Sequence, residues 1–219
     1  MKIFLDTAHL PTITQWLATG LIDGVTTNPT HLSKEGGDST QLVKALCAQL
    51  GTGDVSIEIT EHTPEKVYAQ AQAIAALAPN VVVKIPCHKE YYGIIKQLVL
   101  EGISINITLV FSLMQGLMMC KLGVKYISPF VGRLDDIDVD GISVLHQLRN
   151  MIDQYHFNTQ ILAASLRDIR HLHAAIEAGA DVATVPSAIL EKAVTHPLTI
   201  SGMVQFNADW DKLGIKQFP

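Results

Sequence analysis

The sequence is poor in cysteine, poor in charge and without a long uninterrupted apolar run, and each shortage narrows what the chain can be. Its three cysteines, Cys47, Cys87 and Cys120, are far apart and odd in number. That is no disulfide framework, and it fits a reducing cytosol. Only 17% of the residues are charged while 48% are hydrophobic, which excludes a disordered chain and allows a sizeable core. The net charge is -5, with no basic run and no stripe of basic and aromatic residues, so nucleic acid is not an expected partner. The most apolar stretch, Ile103 to Cys120, contains Ser104, Asn106, Thr108, Ser112, Gln115 and Gly116. A membrane span rarely carries so many polar groups, and strand, turn and helix explain the stretch better. The opening Ile3-Phe4-Leu5-Asp6 lacks the basic region, apolar stretch and cleavage site of a signal peptide, so a cytoplasmic location is expected. Metal-ligand spacings, a nucleotide-binding loop and a Ser-His-Asp signature are also missing. His171-x-His173, on a helix, places its rings on different faces and makes a poor metal site.

What is present is organised around Asn80-Val81-Val82-Val83-Lys84-Ile85-Pro86. Three β-branched residues in a row read as a strand buried on both faces. Proline closes it, since proline cannot donate to a strand ladder. Lys84 then lies at the C-terminal end of an apolar strand. There it must pair with a carboxylate, reach water or lose its proton. A salt-bridged or snorkelling lysine is one reading. A desolvated amine that forms Schiff bases with carbonyl substrates is the other.

Apolar strands alternate with helical stretches along the whole chain. Strands are expected at Lys2 to Thr7, Gly24 to Asn28, Asp54 to Thr60, Val81 to Ile85, Ser104 to Val110, Val124 to Phe130, Gln160 to Ala164 and Val182 to Val185. Helices follow at Leu10 to Ala18, Thr40 to Leu50, Pro64 to Ala78, Tyr91 to Leu100, Leu113 to Leu122, Ile142 to Tyr155, Asp168 to Ala178 and Ala188 to Val194. Strict alternation implies a parallel sheet, and eight such units close most naturally into a TIM-type (β/α)8 barrel. An open doubly wound sheet would call for Gly-x-Gly-x-x-Gly after the first strand, and none is there. Residues 1–219 read as a single domain. An extra C-terminal helix, about Ser201 to Leu213, carries Met203, Phe206 and Trp210 at near-helical spacing and needs an apolar surface to cover.

Barrel active sites lie at the C-terminal ends of the strands. Those ends carry Asp6, Thr26 and Asn28, Glu58, Lys84, Asn106 and Thr108, Ser128, and Ser165; the eighth offers little beyond Thr184. Residues two apart on a strand share a face, so Thr26 points with Asn28 and Asn106 with Thr108. Singly, each reads as a satisfied structural polar group. Seven strands doing this together make a poor core and a good site. Arg133 and Arg167 follow the sixth and seventh strands, where barrels often bind phosphate, and two guanidiniums can clamp one. Pairing with Asp135, Asp136 or Asp168 is the competing reading, most serious for Arg133. Tyr91 and Tyr92 read as helix-surface or interface residues, and Met114 to Met119 as core filling.

The stretches FLDTA, GVTTNPT, VVVKIP, INITLVFS, YISPFVGRLDD and AASLR, in this order, resemble the transaldolases. The short bacterial and archaeal transaldolase-like group, which includes the fructose-6-phosphate aldolases, is the nearest resemblance, and it covers essentially the whole chain. It implies a (β/α)8 barrel with no metal or organic cofactor and a lysine, here Lys84, that forms a Schiff base with a ketose phosphate. Asp6 would be the acid/base for carbon-carbon cleavage. Glu58 and Thr108 would handle a water that shuttles protons. Asn28 and Asn106 would bond the dihydroxyacetone portion and the lysine nitrogen, with Thr26 and Phe130 also lining the substrate site. Ser128 would orient the terminal hydroxyl, and Arg133, Ser165 and Arg167 would hold phosphate.

Two positions separate the subfamilies. The aldolases have glutamine where Glu58 stands and tyrosine where Phe130 stands. The resemblance therefore favours a transaldolase of the pentose phosphate pathway, a transferase moving a dihydroxyacetone unit between sugar phosphates, over a fructose-6-phosphate aldolase-type lyase. It also implies a cytoplasmic homo-oligomer, often a decamer of pentameric rings, with the last helix packed on a neighbour.

Overall fold

A computed structural model describes residues 1–214 of the chain. Its eight strands are all parallel and close on themselves in sequence order, so the first pairs with the last. They are β1 (Lys2–Asp6), β2 (Gly24–Thr26), β3 (Asp54–Glu58), β4 (Val81–Pro86), β5 (Ile105–Val110), β6 (Tyr126–Pro129), β7 (Gln160–Ala163) and β8 (Val182–Val185). The helices are α1 (Leu10–Leu17), α2 (Pro29–Glu35), α3 (Ser39–Leu50), α4 (Pro64–Ala75), α5 (Tyr92–Leu100), α6 (Leu113–Leu122), α7 (Val131–Asp135), α8 (Gly141–Tyr155), α9 (Ile169–Glu177), α10 (Ser187–Val194) and α11 (Pro197–Lys212). The (β/α)8 barrel with a C-terminal helix is the fold that the alternation of the sequence implies.

Two cores hold it. Outward strand residues such as Val25, Val55, Val83, Ile107 and Ile161 meet Ile13, Leu46, Ile95, Met119 and Leu148 from the helices. Inside the barrel, Phe4, Val82, Tyr126, Leu162 and Val182 form a floor. Gly24 makes room for that floor: a Cβ there would lie 2.6 Å from the Phe4 ring and from the Asp54 carbonyl. Burial, and then its hydrogen bond to Asp54, push the Tyr126 hydroxyl well above the ordinary tyrosine range.

Several elements differ from the sequence pattern, for local reasons. β2 stops at Thr26, because Asn28 turns to cap α2 and Pro29 takes its first position. α2 and α7 are short additional helices within the strand exits. α11 begins at Pro197, with His196 as its cap, four residues before the expected start. Tyr91 is buried rather than on a helix surface. It ends a 3₁₀ turn, Lys89–Tyr91, that tucks it inward, and its hydroxyl donates to the His62 carbonyl. On α11, Leu198 (74%) and Phe206 (75%) stand exposed, with Ile200, Met203 and Val204.

Candidate active site

Pleat and register place the polar residues in tiers above the apolar floor. Asp6 pairs in register with Thr26 and Thr26 with Ser56. Glu58 pairs with Lys84 and Lys84 with Asn106. Asp6, Thr26, Asn28, Lys84, Asn106, Ser128, Phe130, Arg133, Ser165 and Thr184 line one cavity of about 170 Å³ at the strand ends. A second of about 400 Å³ adjoins it through the shared Asn28, Lys84, Phe130 and Arg133, and adds His31, Glu58 and Thr108.

Lys84 is 6% exposed, which would be costly for a lone ammonium. Its Nζ lies 2.9 Å from Glu58 Oε2 and donates to the Thr27 carbonyl at 3.1 Å. The carboxylate supplies the partner that burial demands. Asn106 is fully buried, and both ends of its amide are engaged. Its Nδ2 donates to Ser56 Oγ at 3.0 Å, and its Oδ1 accepts from Ser128 Oγ at 2.7 Å. This orients the amide without any charged group. Thr108 is equally buried, yet its Oγ1 has no hydrogen-bond partner among the described residues.

The exits of the fifth and seventh strands are strained. Leu109 and Ser165 have φ of 58° and 57°, a region that side chains other than glycine rarely adopt. The register between β5 and β6 shifts across Ile107 and Val110, so Leu109 bulges into the wall of the larger cavity.

The two arginines part company. Arg133 lies over the Phe130 ring, 5.1 Å from its centroid, and lines both cavities. Arg167 crosses Gly132 instead and makes a two-pronged contact with Asp136. It is Arg167, not Arg133, that takes the acidic partner. That hydrogen bond holds the Asp136 carboxyl below the ordinary range and raises the Arg167 guanidinium. Gly132 has to be small, since a Cβ would lie 2.5 Å from the Ser165 carbonyl and 2.6 Å from Arg167 Nε.

Ser56, Thr27 and His31 join the site although sequence reasoning did not single them out. Ser56 lies two residues before Glu58 on one strand face, and that spacing could have found it. His31 follows Asn28 by three, so its backbone N–H reaches the Asn28 side chain, 2.9 Å away.

Taken together, the barrel buries one lysine against a carboxylate, with a second carboxylate and a tier of amides and hydroxyls lining the same cavity. Comparison with known proteins gives the family. A family described as Transaldolase/Fructose-6-phosphate aldolase matches residues 3–217. A probable transaldolase of Maridesulfovibrio salexigens is 45% identical over 213 residues, 97% of this chain and 99% of that protein. One of Lactiplantibacillus plantarum is 47% identical over 210 residues, 96% of each. Probable transaldolase 2 of Listeria monocytogenes is 44% identical over 217 residues, 99% of each. The chain belongs to the transaldolase/fructose-6-phosphate aldolase family, and its relatives support transaldolase-type activity.

Proposed function

We propose that the chain transfers a dihydroxyacetone unit between sugar phosphates through a Schiff base on Lys84. The observation that carries this is the buried Lys84–Glu58 pair, with Asp6 lining the cavity that Lys84 enters. Lys84 Nζ attacks the C2 carbonyl of fructose 6-phosphate or sedoheptulose 7-phosphate, and water leaves as the iminium forms. Glu58, assisted by a water that Thr108 Oγ1 holds, moves the protons of that step. Asp6 then takes the proton of the C4 hydroxyl. The C3–C4 bond breaks, an aldose phosphate departs, and the electron pair stays on the three-carbon unit as an enamine of Lys84. The enamine adds to the carbonyl of glyceraldehyde 3-phosphate or erythrose 4-phosphate, Asp6 returns the proton, and water releases the new ketose phosphate. Asn28 and Asn106 bond the three-carbon unit, Ser128 its terminal hydroxyl, and Thr26 and Phe130 complete the wall. Arg133, Ser165 and Arg167 hold the phosphate, for which Arg167 exchanges Asp136.

Glu58 and Phe130 favour transfer over release. Phe130 has no hydroxyl to protonate the bound enamine; its ring stacks edge-on against Phe111 and supports Arg133. A fructose-6-phosphate aldolase activity is the second reading. Pentose phosphate metabolism in the cytoplasm follows from the substrates named. The exposed apolar residues of α11 favour a homo-oligomer in which that helix covers a neighbouring copy, and sedimentation as a clean monomer would contradict this.

Borohydride trapping with fructose 6-phosphate, followed by peptide mapping, tests the mechanism. The expected result is a three-carbon adduct on Lys84 that disappears when erythrose 4-phosphate is added. Steady release of dihydroxyacetone without acceptor would favour the aldolase. Lys84→Met should fold and lose turnover; near-normal activity would refute the assignment.

A further inference from the structure

The two carboxylates of the site are held in different ways. Glu58 faces a cation, Lys84. Asp6 receives two contacts on the same oxygen: Thr26 Oγ1 donates to Oδ1 at 3.0 Å, and His31 Nε2 lies 3.6 Å from that oxygen. Oδ2 has no hydrogen-bond partner among the described residues. Thr26 is an imperfect anchor alone, because its hydroxyl also meets Thr184 Oγ1 at 2.5 Å and either can be the donor. In the tautomer with its proton on Nε2, the His31 ring offers Oδ1 a donor that meets no such competitor among the described residues. The His31 backbone is fixed by Asn28, and its ring lines the larger cavity with Glu58, Lys84 and Arg133. Ring and carboxylate are 26% and 24% exposed, so the contact is only partly screened by water.

We propose that His31 is a positioning residue for Asp6: with Thr26 it pins Oδ1 and leaves Oδ2 as the base presented to the reacting hydroxyl. This rests on the reading of Asp6 as the acid/base of bond cleavage. A carboxylate turns easily about χ2 and can exchange its two oxygens. Donors converging on one oxygen decide which is offered, and in which direction. The present 3.6 Å is longer than a hydrogen bond, and catalytic hydrogen bonds are often long before substrate binds and tighten in the complex.

His31→Leu removes the donor at similar bulk, and His31→Gln keeps an N–H within reach. The measurements are transfer kcat and donor KM at saturating acceptor, borohydride trapping with fructose 6-phosphate, and the unfolding midpoint of each variant. His31→Leu is expected to lose about tenfold in kcat with KM within about twofold, the size suited to a part-exposed contact that acts mainly in the transition state. The Lys84 adduct should still form, because imine formation uses Lys84 and Glu58. His31→Gln should recover to within about threefold of the parent. A kcat for His31→Leu within about twofold of the parent, a loss that His31→Gln does not recover, or loss of the adduct would each overturn the proposal. A leucine variant that does not fold would assign His31 to structure and overturn it too. No adduct in the parent protein would instead refute the Schiff-base reading, and this proposal with it.

Discussion

Glu58→Gln tests what a buried ion pair contributes when it also forms the centre of a site. Its side chains are 7% (Lys84) and 15% (Glu58) exposed, at 2.9 Å. At that distance the gross attraction is about 6 kcal/mol for an effective dielectric constant of about 20. Desolvating both ions cancels much of it, so the intact pair adds little. Removing one partner is different. Glutamine leaves Lys84 with neutral acceptors alone, the new amide oxygen and the Thr27 carbonyl, and the uncompensated buried cation should cost about 3 kcal/mol. Lys84→Met should cost less, about 1–2 kcal/mol, because the freed carboxylate, 15% exposed on the wall of the larger cavity, can turn to solvent. The double variant holds no stranded charge and should cost no more than Lys84→Met alone. The singles then exceed the double by at least about 3 kcal/mol, far outside the additivity expected of independent sites. Urea unfolding at fixed protein concentration, followed by circular dichroism, reads all four corners of the cycle. Costs that add within about 0.5 kcal/mol would show that the pair is not coupled in the resting protein, and would refute this account of how Lys84 is accommodated.

Other perturbations test the surroundings. Gly132→Ala drives a methyl against the Ser165 carbonyl and Arg167, so the seventh strand exit must shift; KM for phosphorylated substrates should rise at least several-fold, while a KM equal to the parent's would argue against a phosphate site there. Asp168 caps α9, and its hydrogen bonds from Arg170 and the His171 N–H lower its carboxyl to about 2. Its contribution is therefore present above the ordinary value near pH 4 and lost as pH falls towards 2, and Asp168→Asn should flatten that acid limb in unfolding measured from pH 5 to 2. Tyr126 is raised, so its contribution is full below about pH 10 and lost as pH rises further; Tyr126→Phe should remove part of the alkaline decline, and an unchanged limb would contradict the buried bond to Asp54.

The barrel was legible because the strands are apolar runs separated by longer, mostly amphipathic helical stretches, so the alternation survives without knowledge of neighbours. The shared face of Asn106 and Thr108 was legible too: they line the two adjoining cavities, as period-two spacing requires, whereas Asn28 leaves the strand to cap α2. What could not be read was partnership across strands. Asn106 bonds Ser56 and Ser128 because the barrel's stagger places β3 and β6 side chains at its two ends. No spacing along one strand contains that. The arginines were ambiguous for a related reason. Arg133 is closer in sequence to Asp135 and Asp136, yet α7 carries it over Phe130, while Arg167 returns from the next strand to meet Asp136. Tyr91 failed as a surface residue because a 3₁₀ turn, and not the start of a regular helix, decides where its ring goes.

Thr108 offers the sharpest separation of structure from chemistry. Its side chain is wholly buried, and Oγ1 finds no hydrogen-bond partner in the described protein, so the hydroxyl adds nothing to stability and carries the cost of desolvation. Valine has nearly the same shape. The exchange is usually poor because it strands the hydroxyl's partner, and here there is no partner to strand. Thr108→Val should therefore leave stability equal or raise it by about 1 kcal/mol. If the hydroxyl holds the water that Glu58 uses, the same change should slow imine formation by about tenfold or more, seen as slower borohydride-trapped adduct at unchanged donor affinity. A variant that is both destabilised and inactive would show that the hydroxyl is structural. One that is stable and fully active would show that it is idle. A gain in stability together with a loss of rate is the outcome that a structural role alone cannot produce, since removing a hydroxyl that the fold needs would destabilise it.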